Sequence, residues 1–587
     1  GGITGSLYQQ FAITIAISVA ISSINALTLS PALSALLLRP PGESKSILDK
    51  FFGVFNRNFE VATEKFMVLT GFFTHKLVRA GALLGGLIVA LLLLFQAVPG
   101  GFVPEEDQGY IMAAVQLPDA ASLQRTDEVM KDIEEILGEF EAIENYTTVA
   151  GFSMLTGTTQ PNSGFIFLQL REWDERPDIR DRANILVRRV NYALATQITD
   201  AMAFAFGPPA IPGLGTGSGF TMMLQDRRGS SPEYLEVQAN NFAAAATQRP
   251  EIASVGSLFR ANVPQVAVDI DQAQALKMGV SLSDINTSIG AFLGGAYVND
   301  FNRFGRLYKV YVQAEPEYRA KEDGIRMFHV RNIDGDMVPL ATLVSTSRTQ
   351  GPEFTNRFNL FRSAELTGQP APGYSSAQAL DALEEVAEEI LPADMSYSWA
   401  NMSYQEKVAQ GTGAAVFVMA LVFVFLILSA QYESWSLPLS VMLGTPIAVF
   451  GAILGLWLAR LFSESYVNNV FAQIGLVMLI GMSAKNAILI VEFASQEMQK
   501  GKDAVQAAMD AARSRFRPIL MTAFSFILGV VPLLIASGAG AEARKVMGMT
   551  VFSGMLAATV IGVLVVPAMF VFVEKYVSKR KPIEAKE

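Results

Sequence analysis

The eighteen residues Leu476–Phe493, LVMLIGMSAKNAILIVEF, set a single lysine, Lys485, near the middle of a stretch otherwise made almost entirely of apolar and small residues. A helix rises 1.5 Å per residue, so about twenty such residues cross the roughly 30 Å of hydrocarbon in a bilayer. A lysine in such a segment must pair, reach the headgroups or lose its proton, because an isolated buried ammonium is heavily penalised. Lys485 therefore reads either as a span-end lysine or as a member of an internal ionic relay, and its central position favours the relay. Glu492 lies seven residues on, about 10 Å along the helix, on the same face but beyond a direct bond.

Outward from this stretch, apolar runs long enough to span occur near 12–36, 76–98, 410–430, 437–459, 466–495, 516–539 and 545–574. They account for a chain of 587 residues that is 51% hydrophobic and 17% charged, a balance unusual for a soluble protein. Basic residues cluster in 39–79 (Arg39, Lys45, Lys50, Arg57, Lys65, Lys76, Arg79), in 499–517 (Lys500, Lys502, Arg513, Arg515, Arg517) and in the tail (Lys575, Lys579, Arg580, Lys581, Lys586). These segments fall on one side if the spans alternate, and the positive-inside rule makes that side cytoplasmic. Segment 51–71, FFGVFNRNFEVATEKFMVLTG, reads as an interfacial amphipathic helix. The small-residue strings GTPIAVFGAILG (444–455) and FSGMLAATVIG (552–562) permit close helix packing.

Several chemistries are excluded or disfavoured. The chain has no cysteine and only two histidines, His75 and His329, which removes disulfides, thiol nucleophiles and a histidine-rich metal site. No GxxxxGK[ST] loop or HExxH motif occurs, so ATP is disfavoured as a direct energy source. A net charge of -10 without a long basic segment argues against nucleic acid. The opening residues GGITGSLYQQ carry no initiator Met and no basic region before the apolar run, as expected of a segment from within a longer chain without a signal peptide.

The roughly 310 residues between the second and third runs change composition and are expected outside the cytoplasmic face. Strands at 110–117, 146–153, 164–173 and 201–207, with helices at 122–138 and 178–198, give a β-α-β-β-α-β unit. A second, less regular copy runs from 220–226 through a helix at 231–248 and VAVDIDQAQALKMGV (266–280), resuming with 364–369, a helix at 375–391 and 395–400. The insertion at about 290–360 contains GAFLGGAYVNDFNRFGRLYKVYVQAEP, the pattern of a projecting hairpin. Phe204 and Phe206 share one side of a strand, Phe167 lies in the neighbouring strand, and Phe152 and Met154 open the pliable segment GFSMLTGTTQPNSG. Aromatic and thioether surfaces of this kind suit varied apolar ligands, while alternating phenylalanines also build ordinary sheet cores. In RSRFRPILMTAFSFILGVVPL, Arg513, Arg515 and Arg517 read as positive-inside anchors and Thr522 as a helix hydroxyl.

ALTLSPALSALLL (26–38), GFVPEEDQGYIMAAVQLP (101–118), GGAYVNDF (294–301), MSYQE (402–406), YESWSLPLSVML (432–443), GMSAKNAILIVEFA (481–494) and RFRPILMT (515–522) occur in this order. With them, essentially the whole chain resembles the C-terminal half of the hydrophobe/amphiphile-efflux branch of the resistance-nodulation-division (RND) transporters. The resemblance implies a polytopic α-helical membrane protein with α/β periplasmic porter subdomains, built of ferredoxin-like βαββαβ repeats, and a channel-docking domain. It assigns 1–40 to the last membrane helix of a first half, 41–74 to a cytoplasmic-face amphipathic helix and linker, and 75–101 to the next membrane helix. Residues 102–199 become the first porter subdomain of this half, 200–265 with 363–405 the second, 266–362 the funnel or docking subdomain, 406–575 a five-helix membrane bundle and 576–587 a cytoplasmic tail.

The implied activity is secondary transport, a proton/drug antiport with no covalent catalysis and no cofactor beyond the proton as coupling ion. Its cargo would be diverse hydrophobic and amphiphilic compounds, exported from the periplasm and inner membrane of a Gram-negative cell through a tripartite complex. By resemblance Lys485 belongs to the proton relay, Thr522 to its supporting network and Arg515 to the cytoplasmic proton route. The partners of Lys485 would be two aspartates in the protein's own N-terminal half. Phe167, Phe204 and Phe206 match pocket-lining positions, and Phe152 and Met154 fall on the switch-loop region, which is longer here and has Met where an aromatic is common. A homotrimer, a periplasmic adaptor protein and an outer-membrane channel protein complete the implied assembly. Heavy-metal or lipid-type RND export, and a non-transporting membrane assembly module, are the alternative readings. The 23 methionines favour the metal reading and the absence of cysteine weakens it.

Overall fold

The computed structural model describes residues 2–37 and 47–578, with side chains from residue 53 onward in the second segment. Arg39, Lys45, Lys579, Arg580, Lys581 and Lys586 lie outside the described residues, as does the side chain of Lys50. Among the described residues seven helical segments are long and apolar enough to cross a membrane: Gly2–Leu37, Leu77–Ala97, Asn401–Tyr432, Leu437–Arg460, Val470–Gln499, Ala504–Leu534 and Ala541–Tyr576. The chain divides into two compact units, one of Gly1–Gln225, Ala239–Ser257 and Glu365–Glu587, the other of Asp226–Gln238 and Leu258–Ala364.

In the first unit, α1 (Gly2–Leu27) and α2 (Leu29–Leu37) form the first span, and α3 (Ile47–Thr74) precedes the spanning α4 (Leu77–Ala97). The expected amphipathic segment is thus part of a longer helix. Its apolar side is anchored where Phe66 stacks on Phe516 at 4.1 Å between ring centroids, and Glu64 pairs with Arg513.

The first α/β subdomain follows as β1 (Tyr110–Gln116), α5 (Leu123–Gly138), β2 (Ile143–Ser153), β3 (Thr158–Leu170), α6 (Ala183–Gln197) and β4 (Met202–Phe206). Its sheet has the order β2-β3-β1-β4. Alternation sends Ile111, Ala113 and Val115 of β1, with Ile166 and Leu168 of β3, into a core closed by Met130, Ile133 and Leu137 of α5 and Leu186 and Val190 of α6. Residues 158–163, TTQPNS, expected as a pliable connection, instead lengthen β3. Their polar groups are satisfied where they lie: Ser163 Oγ donates to Gln116 Oε1 at 2.8 Å, and Thr126 Oγ1 donates to the Pro161 carbonyl at 2.6 Å.

The second subdomain contains β5 (Phe220–Asp226), α7 (Pro232–Ala246) and β6 (Ile252–Ser257). Then come the elements of the second unit: β7 (Val263–Ile270), α8 (Gln272–Lys277), α9 (Leu282–Ile289), β8 (Ala296–Arg303), β9 (Arg306–Val312), the one-turn α10 (Pro316–Arg319), β10 (His329–Arg331), β11 (Met337–Pro339), β12 (Val344–Gly351) and β13 (Asn356–Phe358). The chain continues through β14 (Phe361–Pro370), α11 (Ser376–Ile390) and β15 (Met395–Trp399). The segment 266–280 does not serve the second repeat as expected. Its strand β7 pairs with β12, from Val263↔Gly351 to Ile270↔Val344, and β6 supplies the repeat's strand by pairing Leu366–Pro370 of β14. The hairpin β8–β9 forms as its glycines indicate, with Phe304 and Gly305 at positive φ in the turn.

The remaining helices are α12 (Asn401–Ala409), α13 (Thr412–Tyr432), α14 (Leu437–Met442), α15 (Thr445–Arg460), α16 (Val470–Gln499), α17 (Ala504–Leu534), α18 (Ala541–Ala557) and α19 (Val563–Tyr576), with a π-helical turn at Ala558–Gly562. The two small-residue strings meet each other. A Cβ on Gly451 would run into Ala557 and the Ser553 carbonyl, and one on Gly455 into the Ser553 side chain. α17 begins twelve residues before the expected span (504 against 516), because Ala507, Ala508, Ala511 and Ala512 form a buried stripe that carries the charged segment along as helix.

Candidate functional site: a membrane lysine seam and an aromatic sheet face

Helix α16 turns one side into the bundle through Ile480, Ala484, Ala487, Ile490, Val491 and Ala494. Gly481 and Lys485 lie on its exposed side, with Ile488 and Glu492 half-buried at the following turns. The spacing of 4, 3 and 4 residues traces one stripe down the helix. No hydrogen bond or ion pair to Lys485 is found among the described residues. Glu492 accepts from Gln496 Nε2 at 3.0 Å, in keeping with the expectation that it does not bond Lys485. Beside Lys485, Asn486 is buried and faces a small cavity also lined by Ser483, Gly444, Ala558 and Gly562, and its Nδ2 has no protein partner among the described residues.

Arg515 and Thr522 lie on α17, which packs against α16. Arg515 stacks its guanidinium over Phe493 of α16 at 4.7 Å from the ring centroid, while its buried Nε has no hydrogen-bond partner among the described residues. Thr522 Oγ1 donates to the Ile519 carbonyl of its own helix at 3.0 Å, the satisfied helix hydroxyl that the sequence suggested. Lys485, Arg515 and Thr522 thus share adjacent helices without a hydrogen bond between any two of them among the described residues.

The aromatic candidates meet on the sheet face opposite α5 and α6. Register sets Met112 beside Phe167 on one side and Phe206 on the other, and Ala114 beside Phe165 and Phe204. Phe206, Phe165 and Met112 are buried together, with Phe204, Tyr110 and Leu155 packed on them. Phe204 and Phe206 lie 5.9 Å apart, and Phe167, 40% exposed, stacks on Tyr110 at 4.8 Å. The Gly/Pro-rich connection after β4 passes over this face, where a Cβ on Gly217 would strike the Phe206 ring. Phe152 sits opposite Thr159 near the end of the β2–β3 hairpin, and Met154 is exposed in its turn. Sequence reading missed Tyr110, Met112, Phe165 and Leu155. The alternation of β1 carried the signal for Tyr110 and Met112, but the register with β3 and β4 did not follow from it.

Among the described residues no group of three or more His, Asp or Glu is placed to hold a metal ion. A helical membrane bundle with a lysine on an open seam, joined to an α/β subdomain with an aromatic sheet face, defines a multi-pass membrane protein of the RND transporter class. More narrowly, the chain belongs to the AcrB/AcrD/AcrF family, whose model matches residues 1–574.

It is 39% identical over 586 residues to the multidrug/solvent efflux pump membrane transporter MepB of Pseudomonas putida, covering 99% of this chain and 55% of that protein. It is 40% identical over 588 residues to the antibiotic efflux pump membrane transporter ArpB of Pseudomonas putida, with coverage of 99% and 55%. The multidrug export protein AcrF of Escherichia coli K12 is 39% identical over 580 residues, with coverage of 98% and 55%. The chain spans about half the length of these relatives.

Proposed function

We propose that this chain forms the relay-lysine half of a proton-motive-force-driven exporter of hydrophobic and amphiphilic compounds in a Gram-negative inner membrane. The observation that carries the reading is Lys485, midway along a spanning helix, on an exposed stripe, with no anionic partner among the described residues. A cation in that position requires a counter-charge from another segment. Two aspartates of a first half meet that need, and proton exchange between them and Lys485 rearranges α16 and α17. Arg515 serves the cytoplasmic proton route and Thr522 the network around the lysine. Phe167 and Phe204, with Phe152 and Met154 at the adjoining hairpin, present rings and a thioether to apolar cargo, and the buried Phe206 packs behind Phe204 to hold that face in place. The assembly is a homotrimer joined by a periplasmic adaptor to an outer-membrane channel. The names carried by the relatives, multidrug and antibiotic efflux, agree with this cargo class.

The test is dye efflux from a pump-deficient Gram-negative cell expressing the full-length protein with its adaptor and channel. Lys485→Met is expected to lower proton-dependent efflux tenfold or more at equal expression. Efflux that survives the substitution, or no efflux from well-expressed wild type, sinks the reading.

A further inference from the structure

The segment between α4 and β1 ties three helix starts together. Its backbone runs alongside the entry to α16: Asn468 N–H donates to the Pro99 carbonyl at 3.0 Å, and Val470 N–H to the Phe102 carbonyl at 3.1 Å. Farther along, two adjacent carboxylates point to different helices. Glu106 accepts from the backbone N–H of Glu542 at 3.1 Å and of Ala543 at 2.7 Å, in the first turn of α18. Asp107 accepts from the backbone N–H of Ala183 at 3.1 Å, the first residue of α6, and from both terminal nitrogens of Arg176 at 3.1 and 3.2 Å.

Among the described residues, neither N-cap residue, Gly540 of α18 or Arg182 of α6, supplies a side-chain cap. The four free N–H groups at a helix start demand acceptors, and carboxylates there also meet the helix dipole. Trp173 closes the junction. Its Nε1 donates to the Asp107 carbonyl at 3.2 Å, and Cβ atoms added at Gly109 or Gly538 would touch its ring. Gly538 lies in the short connection from α17, the helix of Arg515 and Thr522, to α18.

We propose that Glu106 is a positioning residue for transport: it fixes the start of α18 to the base of the first α/β subdomain, so that displacement of α17 and α18 moves α6 through Asp107 and Arg176. The inference rests on the proton-driven reading above. One carboxylate holds the membrane side and its neighbour the soluble side, so the peptide bond between residues 106 and 107 carries the load. Glu106 touches neither cargo nor the relay lysine, and its loss acts on rate through the linkage.

The experiment uses the full-length protein with Glu106→Ala and Glu106→Gln, the second retaining an oxygen that accepts one of the two N–H bonds. Glu106→Ala is expected to leave equilibrium dye affinity within about twofold and to cut maximal efflux at least tenfold, with Glu106→Gln restoring half or more. Hydrogen exchange supplies a readout that does not pass through transport. In the otherwise native protein, Lys485→Met should alter exchange in peptides covering both 541–545 and 183–187, and with Glu106→Ala present the change should stop at 541–545. Equal efflux in Glu106→Ala, a joint loss of affinity and rate that Glu106→Gln does not rescue, or transmission to 183–187 in its absence overturns the proposal. Absence of efflux from the wild type overturns the proton-driven reading instead.

Discussion

Arg176 is only 2% exposed at its side chain and depends on Asp107 for its counter-charge. Burial works to raise the Asp107 pKa, but the hydrogen bonds and charge of Arg176 and the N–H groups of Ala183 and Gly109 outweigh it and hold the carboxyl below its ordinary range. A carboxyl depressed in the folded state contributes stability above its unfolded pKa of about 3.9, and that contribution is lost as pH falls through the lower folded value. Melting temperature should therefore be insensitive to this group from pH 8 to 5 and fall in more acid buffer. Asp107→Asn, which strands a buried guanidinium, should cost roughly 3–5 kcal/mol at neutral pH and remove part of the acid dependence, as thermal melts of the full-length protein would reveal.

The aromatic face separates by burial in the same way. Phe206, 7% exposed, is a packing residue, and Phe206→Ala should cost about 3–5 kcal/mol. Phe167→Ala at its exposed site should cost little stability and lower dye affinity instead. Melts and equilibrium dye titrations distinguish the two, and equal destabilisation by both would count against Phe167 as a contact for cargo.

At the scale of elements, the contact of α15 with α18 is set by the absence of side chains. Gly451 and Gly455 face Ser553, Gly554 and Ala557 with no room for a Cβ. Gly455→Leu should abolish folded protein in the membrane, whereas the same change at Gly529, which has open space around it, should be tolerated. Size-exclusion profiles of the two variants in detergent give the comparison. Helices and the first β-α-β-β-α-β unit were legible in the sequence because their apolar periods are strong and local. The second repeat was not, because β7 alternates more clearly than β6, and only pairing with a strand far along the chain, β12 for β7 and β14 for β6, shows which sheet each serves. The residues TTQPNS misled for another reason: they look like a loop until the partners of Ser163 and Thr126 are known. Lys485 stood out because charge is expensive in an apolar span. Glu106 did not, since a glutamate in a polar linker carries no signal until the helix it caps is in place.

For the whole molecule, the basic segments and the α/β units are expected on opposite sides of the bilayer. The chain contains no cysteine, so single introduced thiols report topology cleanly in a cysteine-free full-length background. A cysteine at Phe304, 81% exposed in the β8–β9 turn, should react with a membrane-impermeant reagent in cells whose outer membrane has been opened. One at Lys500, between α16 and α17, should react only after the inner membrane is breached. The reverse pattern would invert the topology.

The tandem carboxylates also set a rule about chain length. Most linkers absorb an extra residue, because what they join does not depend on how many steps lie between. Here the backbone is pinned at Phe102 and again at Gly109, and positions 106 and 107 must each arrive at a different helix. Inserting one residue between Val103 and Glu106 would change the number of steps from the pin at Phe102 and carry Glu106 away from the start of α18, even though every native residue were still present. In this stretch the count of residues is itself a functional property, and spacing should tolerate change less readily than composition.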